Sequence, residues 1–365
     1  MPPSKKIDHA FEEALNASIF PGAAVAVGTA KKLWMKEVYG LAETLPLKRK
    51  LFQKTYFDLA SLTKPLSTAF ICMRLVDEGK LNLEDPVSKF FSRWKKEPYN
   101  VITLKHLLQH TSGLAAYRPY YEDLIPGLLA GKEDLEEIQK SLTAKILVEK
   151  LEYNTGELRV YSDLGFMLLG FILEKVTSKT LDKLFAELIA KSLKLNHTFF
   201  IRHFSKGKKL PRTDFASTRK CRLRRKVLAG EVDDEHAWVL GGVAGHAGLF
   251  SNLEDLIKMA DEILKIENGK SNFISPRTWK QFTQSKPALG WDKPELEGSQ
   301  AGKHFSKQSI GHLGFTGTSI WVDLAKQFYV ILLTNRVHPE GKNEAIKEFR
   351  PKIHDLLAEG FKLDK

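Results

Sequence analysis

A serine and a lysine stand three positions apart in the segment FDLASLTKPLSTAF, residues 57–70. Positions i and i+3 share one face of a helix, so Ser61 and Lys64 would be neighbours where a helix is predicted to begin. A serine hydroxyl becomes a nucleophile when a nearby base takes its proton, and a lysine can be that base if burial lowers its pKa. The alternative is a helix-capping serine beside a surface lysine, and this motif alone does not separate the two.

Two further segments carry side chains that could complete such a site. In ELRVYSDLGFMLLG, Tyr161 and Asp163 precede an apolar helix, and a phenol beside positive groups could lose its proton and act as a general base. In SIGHLGFTGTSIWVD, His312 and Gly314 begin a predicted strand, where glycine would let a substrate approach the backbone. Each has a structural alternative: Asp163 as a helix cap, Tyr161 as a core aromatic and His312 as an exposed strand-entry residue.

Apolar periodicity at the two ends of the chain predicts β-hairpins. Residues 23–40 read as two strands around a turn near Lys31, and residues 318–336 as two strands around a turn near Ala325. The run Phe328–Leu333 is apolar throughout, which is typical of a central strand buried on both faces.

Helical spacing dominates the middle of the chain. The predicted helices cover residues 62–78, 103–109, 135–150, 164–177 and 181–192. Near the C-terminus, Pro351 should bend a helical segment or begin a turn. The expected fold class is α/β (α+β): an antiparallel sheet built from both chain ends and flanked by helices, with an inserted all-helical lobe. We assign residues 1–60 and 240–365 to the sheet lobe and 61–239 to the helical lobe, with a ligand cleft between them.

Charge is distributed unevenly along the 365 residues. The chain has 56 Lys and Arg against 44 Asp and Glu, a formal charge of +12, and most of the excess lies in the basic stretch 202–226, where Asp214 is the one acid. This stretch could attract an anionic partner, and the alternative is a solvated surface insertion. No helical stripe of aromatic residues accompanies the charges, so no nucleic-acid partner is expected.

The sequence contains no apolar run long enough to span a membrane, and its first twenty residues lack the apolar core of a signal peptide. A cytoplasmic protein is therefore expected, or a periplasmic or extracellular one if the chain is a trimmed mature form. Cys72 and Cys221 are predicted to be buried or idle thiols. We expect no metal and no cofactor.

Taken together, in this order and spacing, the three segments resemble the serine hydrolases of the class C β-lactamase and penicillin-binding-protein family. The resemblance spans residues 18–340 and includes PGAAVAV, LVDEGKLNLEDPVSKFF, ITLKHLLQHTSGL and GGVAGHAGLFSNLEDLIKMA. It implies a β-lactamase/transpeptidase-like fold with Ser61 as the acyl-accepting nucleophile, Lys64 as its proton-handling neighbour and Tyr161 as general base and later acid. His312 would hold Tyr161 deprotonated or position the substrate. The N–H groups of Ser61 and Phe315 would form the oxyanion hole.

Two departures from the family pattern bear on the substrate. Asp163 stands where relatives usually have asparagine, and a carboxylate cannot donate to a substrate carbonyl. The triplet His312 to Gly314 replaces KTG, which removes a fixed positive charge for a substrate carboxylate, because a histidine is only partly charged at neutral pH. Both departures favour ester or amide substrates other than β-lactams.

The motifs YSD, GHAG and TNRVHP are similar to those of a subgroup that includes bacterial cell-wall amidases, which cut between muramic acid and peptide. Asp233, in GEVDDEHA, stands where that subgroup often has histidine. His246, in the GHAG motif, is expected to line the cleft and bind substrate, with a structural role in the loop as the alternative. His110 is expected to brace the helical lobe.

The predicted function is hydrolysis of amide or ester bonds through an acyl-Ser61 intermediate. The expected substrate is a small molecule or muropeptide-like compound derived from peptidoglycan. One alternative is a β-lactamase or DD-carboxypeptidase. Another is a non-catalytic binder of anionic cell-wall fragments that uses the stretch 202–226.

Overall fold

The structure, a computed structural model, describes residues 3–130, 134–204 and 210–363. Its strands, in chain order, are β1 Gly22–Thr29, β2 Lys32–Glu43, β3 Arg49–Lys50, β4 Phe57–Asp58, β5 Phe199–Phe200, β6 Lys220–Cys221, β7 Lys226–Val227, β8 Leu249–Ser251, β9 Ile310–Leu313, β10 Ser319–Asp323 and β11 Phe328–Thr334. Its α-helices are α1 Pro3–Asn16, α2 Phe70–Asp77, α3 Leu104–Gln109, α4 Tyr121–Leu129, α5 Leu135–Ile146, α6 Asp163–Thr177, α7 Leu181–Leu184, α8 Lys191–Leu193, α9 Glu235–Val239, α10 Leu253–Glu267, α11 Pro276–Thr283 and α12 Ile346–Phe361.

The main sheet has six strands in the order β3-β2-β1-β11-β10-β9, and every pair is antiparallel. Strand β1 pairs with β11, with Ala26 opposite Ile331, so the N-terminal and C-terminal hairpins join at the centre of the sheet. Both predicted hairpins are confirmed. Strand β11 is buried along its whole length, as expected for a central strand.

Alternating side chains cover the two faces of the sheet differently. Val25 and Val330 point towards α1 and α12 in one apolar cluster, and Ala26 and Ile331 point to the opposite face, towards α10. The cluster on the α10 face continues without a break into the helical part of the chain. The main sheet is thus flanked by helices on both faces.

Helix α12 runs through Pro351, so the turn expected there does not form. Proline has no N–H to donate to the carbonyl of Lys347 one turn earlier. The Gln300 side chain supplies that hydrogen bond instead, with Nε2 at 3.0 Å from the Lys347 oxygen. A partner from outside the helix, which helical periodicity does not reveal, therefore satisfies the exposed carbonyl.

The helical region between the two hairpins largely follows the prediction. The helix expected over 62–78 is a 3₁₀ turn, Ala60–Leu62, a π turn, Lys64–Ala69, and then α2. The segment 181–192 is likewise helical with a π turn, Phe185–Ala190. Helices α1, α4, α9, α10 and α11 were not predicted. The division into lobes at residues 60 and 240 stays a prediction.

A second, small sheet, in the order β4-β8-β5, ties distant segments together. Strand β4 ends three residues before Ser61, and β8 begins three residues after His246. Leu59 N–H donates to the Leu249 carbonyl at 2.9 Å, and Leu249 N–H donates to Thr63 Oγ1 at 3.1 Å. This sheet therefore holds the serine segment against the glycine-rich loop around His246.

Among the described residues, no helix is both long enough and apolar enough to cross a bilayer. Cys72 and Cys221 are buried free thiols, as predicted.

Candidate active site

Ser61 and Lys64 are in hydrogen-bonding contact. Lys64 Nζ donates to Ser61 Oγ at 2.9 Å, and the Lys64 side chain is fully buried while Ser61 is partly accessible to solvent. The 3₁₀ turn that contains Ser61, Ala60–Leu62, has Leu59 as its N-cap residue and no side-chain cap. The alternative of a capping serine beside a surface lysine is therefore wrong.

The backbone before the serine adopts an unusual conformation. Ala60 has φ of 47°, in the left-handed region that L side chains rarely occupy. Its N–H donates to Asp58 Oδ1 at 2.8 Å, and its carbonyl accepts from Thr63 Oγ1 at 2.6 Å. Strain of this kind persists where surrounding contacts enforce it, and here those contacts orient the neighbouring Ser61.

Lys64 also forms an ion pair with Asp163, with Nζ at 2.7 Å from Oδ1, and it donates to the His246 carbonyl at 3.1 Å. Asp163 is the first residue of α6 but not its cap, because Ser162 Oγ accepts from Gly165 N–H at 3.3 Å. Burial by itself would lower the pKa of Lys64, but the charge of Asp163, the largest opposing cause, outweighs it and raises that pKa above its ordinary value. Lys64 is therefore an ammonium in the resting site, not a free base.

Tyr161 lies over this ion pair. Lys64 Nζ is 4.7 Å from the centre of its ring, and the residue is 37% exposed. Desolvation raises the pKa of Tyr161, the Lys64 charge lowers it, and the net result is about 12. Tyr161 is thus a neutral phenol at neutral pH, and the lowered pKa that the sequence-based mechanism required is absent from the resting site.

His110 holds the segment that carries Tyr161. Its Nδ1 accepts from the N–H of Ser162 at 3.0 Å, its carbonyl accepts from the N–H of Val160 at 2.9 Å, and its ring centre is 4.7 Å from that of Tyr161. Burial, the first cause, together with the Lys64 charge keeps the pKa of His110 well below the ordinary value. A neutral, buried imidazole therefore positions Tyr161 and Ser162.

His312, in β9, is 3% exposed, so the alternative of an exposed strand-entry histidine is wrong. Its ring centre is 5.9 Å from that of Tyr161, and its Nδ1 lies 2.8 Å from the carbonyl of Leu313. Burial lowers the pKa of His312 although Asp292, at 4.0 Å from Nε2, opposes the effect. The imidazole is accordingly neutral at neutral pH and supplies no fixed positive charge.

Gly314 and Phe315 form the turn between β9 and β10. Thr316 Oγ1 donates to the Asp58 carbonyl at 2.7 Å, and Thr318 Oγ1 donates to the Leu59 carbonyl at 3.1 Å, which fastens this turn to the segment before Ser61. A Cβ on Gly314 would lie 2.1 Å from Thr318 Oγ1 and 2.6 Å from the Leu59 oxygen. Glycine is needed here for the chain's own close packing, and its role in letting a substrate approach the backbone stays a prediction.

His246 is 1% exposed, and its Nε2 is 2.8 Å from Asp234 Oδ1. Its carbonyl, not its ring, contacts Lys64. Asp233 is 2% exposed and pairs with Arg219 at 3.1 Å. The neighbouring carboxylate of Asp234, which sequence reasoning passed over, is the one that reaches His246. Asp234, His236 and His246 offer atoms that could hold a metal ion, all within 4.8 Å of one another.

Sequence reasoning also missed Asp58, which is 2% exposed and accepts from the N–H groups of Ala60 and Asp233, at 2.8 and 2.6 Å. Its pKa is raised to about 7, by burial first and by the charge of Asp233 second. The one sequence feature that could have indicated Asp58 is its position three residues before Ser61.

Most of the described cations in the basic stretch 202–226 have partners within the chain. Residues 205–209, which include Lys206, Lys208 and Lys209, lie outside the described residues. The pairs are Arg202 with Asp182, Arg212 with Glu43, Arg219 with Asp233 and Glu235, Arg224 with the Val232 and Asp233 carbonyls, and Lys226 with Glu231. Lys220, Arg222 and Arg225 are exposed.

Comparison with known proteins places this arrangement in a family. The family model described as Beta-lactamase matches residues 7–353. An N-acetylmuramyl-L-alanine amidase of Bacillus subtilis (strain 168) is 34% identical over 369 residues, which cover 92% of this chain and 81% of the relative. A provisionally named D-alanyl-D-alanine carboxypeptidase of Salmonella typhimurium is 32% identical over 319 residues, 80% of this chain and 72% of the relative.

Among solved structures, EstCE1, described as a hydrolase with promiscuous acyltransferase activity, has a TM-score of 0.73 at 19% identity and covers 97% of this chain and 98% of its own. This likeness confirms the predicted fold class. The chain belongs to the Beta-lactamase family, and it is a serine hydrolase of the β-lactamase and penicillin-binding-protein type.

Proposed function

We propose that Ser61 is the nucleophile of a hydrolase that cleaves amide or ester bonds of peptidoglycan-derived or related small acyl compounds. The observation that carries this proposal is the 2.9 Å contact from Lys64 Nζ to Ser61 Oγ, made by a buried ammonium whose charge Asp163 balances at 2.7 Å. An ammonium in this position stabilises the serine alkoxide as it forms.

Because Lys64 is charged at rest, the base that accepts the Ser61 proton is Tyr161, in the small phenolate fraction that its pKa of about 12 leaves at neutral pH. Ser61 Oγ then bonds to the substrate carbonyl carbon, and the carbonyl becomes a tetrahedral oxyanion. Tyr161 returns the proton to the leaving nitrogen or oxygen as its bond to carbon breaks, which leaves an acyl-Ser61. Water, deprotonated by Tyr161, then attacks the ester carbon, and the proton returns to Ser61 Oγ.

The oxyanion would be held by the backbone N–H groups of Ser61 and Phe315. Support comes from the hydrogen bonds of Thr316 and Thr318, which fasten the Phe315 turn to the segment that precedes the serine. Within the described part of the chain, the N–H of Phe315 donates no hydrogen bond. Donors that are fixed before the substrate arrives stabilise developing charge without a reorganisation cost.

The substrate class follows from charge as well as from the named relatives. A neutral His312 and an acceptor-only Asp163 offer no fixed cation and no extra donor to a β-lactam or a C-terminal carboxylate. The amidase named for the Bacillus subtilis relative supports a cell-wall amide as the bond cleaved.

Covalent labelling tests the nucleophile. Intact-protein mass spectrometry follows incubation with a fluorophosphonate, a penicillin or an activated acetyl ester, for the wild type, Ser61→Ala and Ser67→Ala. Ser67 is a matched control because it lies in the same helical segment, is fully buried and has a hydroxyl without a hydrogen-bond partner in the described residues. We expect adducts in the wild type and in Ser67→Ala and none in Ser61→Ala. Adducts that persist in Ser61→Ala would refute the assignment.

The probes also separate the alternatives. A long-lived penicillin adduct favours the DD-carboxypeptidase alternative, for which the Salmonella typhimurium relative is the support. Release of hydrolysed penicillin without a lasting adduct favours the β-lactamase alternative. Muropeptide products then identify the bond: a free L-alanyl peptide marks amidase action, and free D-alanine marks carboxypeptidase action.

An anionic partner at 202–226 belongs to the non-catalytic alternative. Lys220, Arg222 and Arg225 are the exposed cations that support it. Salt-sensitive binding of acidic muropeptides, together with no adduct from any probe, would favour this alternative over hydrolysis.

A further inference from the structure

Two histidines and one aspartate lie close together next to the His246 carbonyl, which accepts a hydrogen bond from Lys64. Asp234 directly precedes α9, His236 lies in the first turn of that helix, and His246 lies in the loop before β8. One ligand atom from each lies within 4.8 Å of the others. His236 is 0% exposed and His246 is 1% exposed, whereas the Asp234 side chain is 25% exposed.

The buried ring nitrogens lack partners. Within the described residues, neither Nδ1 nor Nε2 of His236 has a hydrogen bond, and neither does Nδ1 of His246. A neutral imidazole carries one N–H donor and one lone pair, and buried groups of this kind are nearly always paired in folded proteins. The backbone of Arg118 interacts with the His236 ring, and one carbonyl satisfies at most one of the two ring nitrogens. Among the described residues, at least one nitrogen of each imidazole is therefore left to bind a ligand.

Two aromatic rings pack against the His236 imidazole. The rings of Tyr117 and Tyr121 stand nearly perpendicular to it, with centres at 5.4 and 5.2 Å. These contacts fix the direction in which the ring nitrogens point.

The surrounding charge favours a cation. The carboxylates of Asp163 and Asp234 act on the His236 ring, and Lys64 balances the charge of Asp163 at 2.7 Å. Asp234, whose Oδ1 lies 2.8 Å from His246 Nε2, is the carboxylate left to balance a bound cation.

We propose that Asp234, His236 and His246 bind one divalent transition-metal ion, of which zinc is the expected species. Two imidazole nitrogens and one carboxylate oxygen form a set that zinc accepts with a further position open. Tetrahedral zinc needs its ligand atoms about 3.4 Å apart, so the cluster must contract on binding. An ion bound to the His246 ring would hold the loop whose carbonyl accepts from Lys64 Nζ at 3.1 Å. This proposal departs from the expectation, drawn from the sequence, that the protein binds no metal.

Cobalt titration tests the site independently of any turnover. Protein without a histidine tag is stripped with a chelator, titrated with Co²⁺ and followed by visible absorption, and zinc is then added in competition. We expect one tightly bound ion per chain, with zinc displacing cobalt, and an affinity at least about 100-fold weaker in His236→Asn. His354→Asn is the matched control, because His354 is also 0% exposed with an unpartnered Nε2 but lies in α12, away from the cluster. Its affinity should equal that of the wild type.

Equal cobalt affinity in wild type and His236→Asn would overturn the proposal, and so would the lack of one bound ion per chain at about 1 mM cobalt. If His236→Asn does not fold, anomalous diffraction from zinc-soaked crystals of the wild type decides. A peak between Asp234, His236 and His246 supports the site, and peaks only elsewhere refute it. Because no turnover is measured, failure of the metal proposal leaves the assignment of Ser61 unaffected.

Discussion

Replacing Asp163 by asparagine tests the charge state of the Lys64 ammonium. In the wild type, Asp163 Oδ1 lies 2.7 Å from Lys64 Nζ, with Lys64 fully buried and the Asp163 side chain 22% exposed. At this distance the direct attraction is about 6 kcal/mol for an effective dielectric constant of about 20. Leaving a buried charge without its partner costs about 3 to 5 kcal/mol, and we expect the lower figure because Asp163 is partly exposed.

The pKa of Lys64 determines whether the stability deficit of Asp163→Asn grows or shrinks with pH. In the wild type the pKa of Lys64 is raised above its unfolded value, so the stabilisation is complete below about pH 10 and is lost only above it. In Asp163→Asn, burial without a counter-charge should depress the pKa of Lys64, so the variant should gain stability as pH rises towards about 10. The deficit relative to the wild type should therefore shrink between about pH 7 and pH 10.

Urea unfolding at several pH values measures the deficit. Glu136→Gln is the control, because Glu136 pairs with Lys140 at 2.6 Å while both side chains are more than 70% exposed, and it should leave the urea midpoint nearly unchanged. A deficit for Asp163→Asn below about 1 kcal/mol, or one that does not change with pH, would refute the assignment of Lys64 as a buried ammonium.

Three further outcomes follow from the same geometry. Tyr161→Phe should lower kcat by about 10² to 10⁴-fold with a small change in KM. The kcat/KM of the wild type should rise with pH towards the Tyr161 pKa of about 12. A kcat/KM that does not change with pH in stopped-flow ester hydrolysis would exclude Tyr161 as the base. Asp58 holds a proton in the folded state up to its pKa of about 7. The free energy of unfolding should therefore fall by up to about 1.4 kcal/mol per pH unit as the pH rises from about 4 to 7. Asp58→Asn should remove this pH dependence from the urea midpoints. Gly314→Ala should move the Phe315 turn, at a cost of about 1 to 3 kcal/mol, and should lower kcat more than it raises KM; unchanged kinetics would mean that this turn does not form the oxyanion hole.

The predicted elements that held were those with strong local patterns. Alternation and apolar runs predicted both hairpins and the central position of β11, because the side-chain periodicity of a strand is written in consecutive residues. The continuation of helix α12 through Pro351 could not be predicted from neighbouring residues alone. Pro351 is tolerated because Gln300, 47 residues before Lys347, donates a hydrogen bond to the Lys347 carbonyl. Such a partner is selected by packing and leaves no periodic signal.

The amino-acid sequence by itself determined the family, the fold class and the serine hydrolase chemistry, because short motifs in a set order specify which residue types meet. Only the tertiary structure determined the protonation states of the side chains that these motifs bring together. Lys64 is an ammonium because Asp163 lies 2.7 Å away, and His312 is neutral because it is buried. Protonation depends on distances and on access to water, and both are properties of the folded chain that residue spacing does not encode.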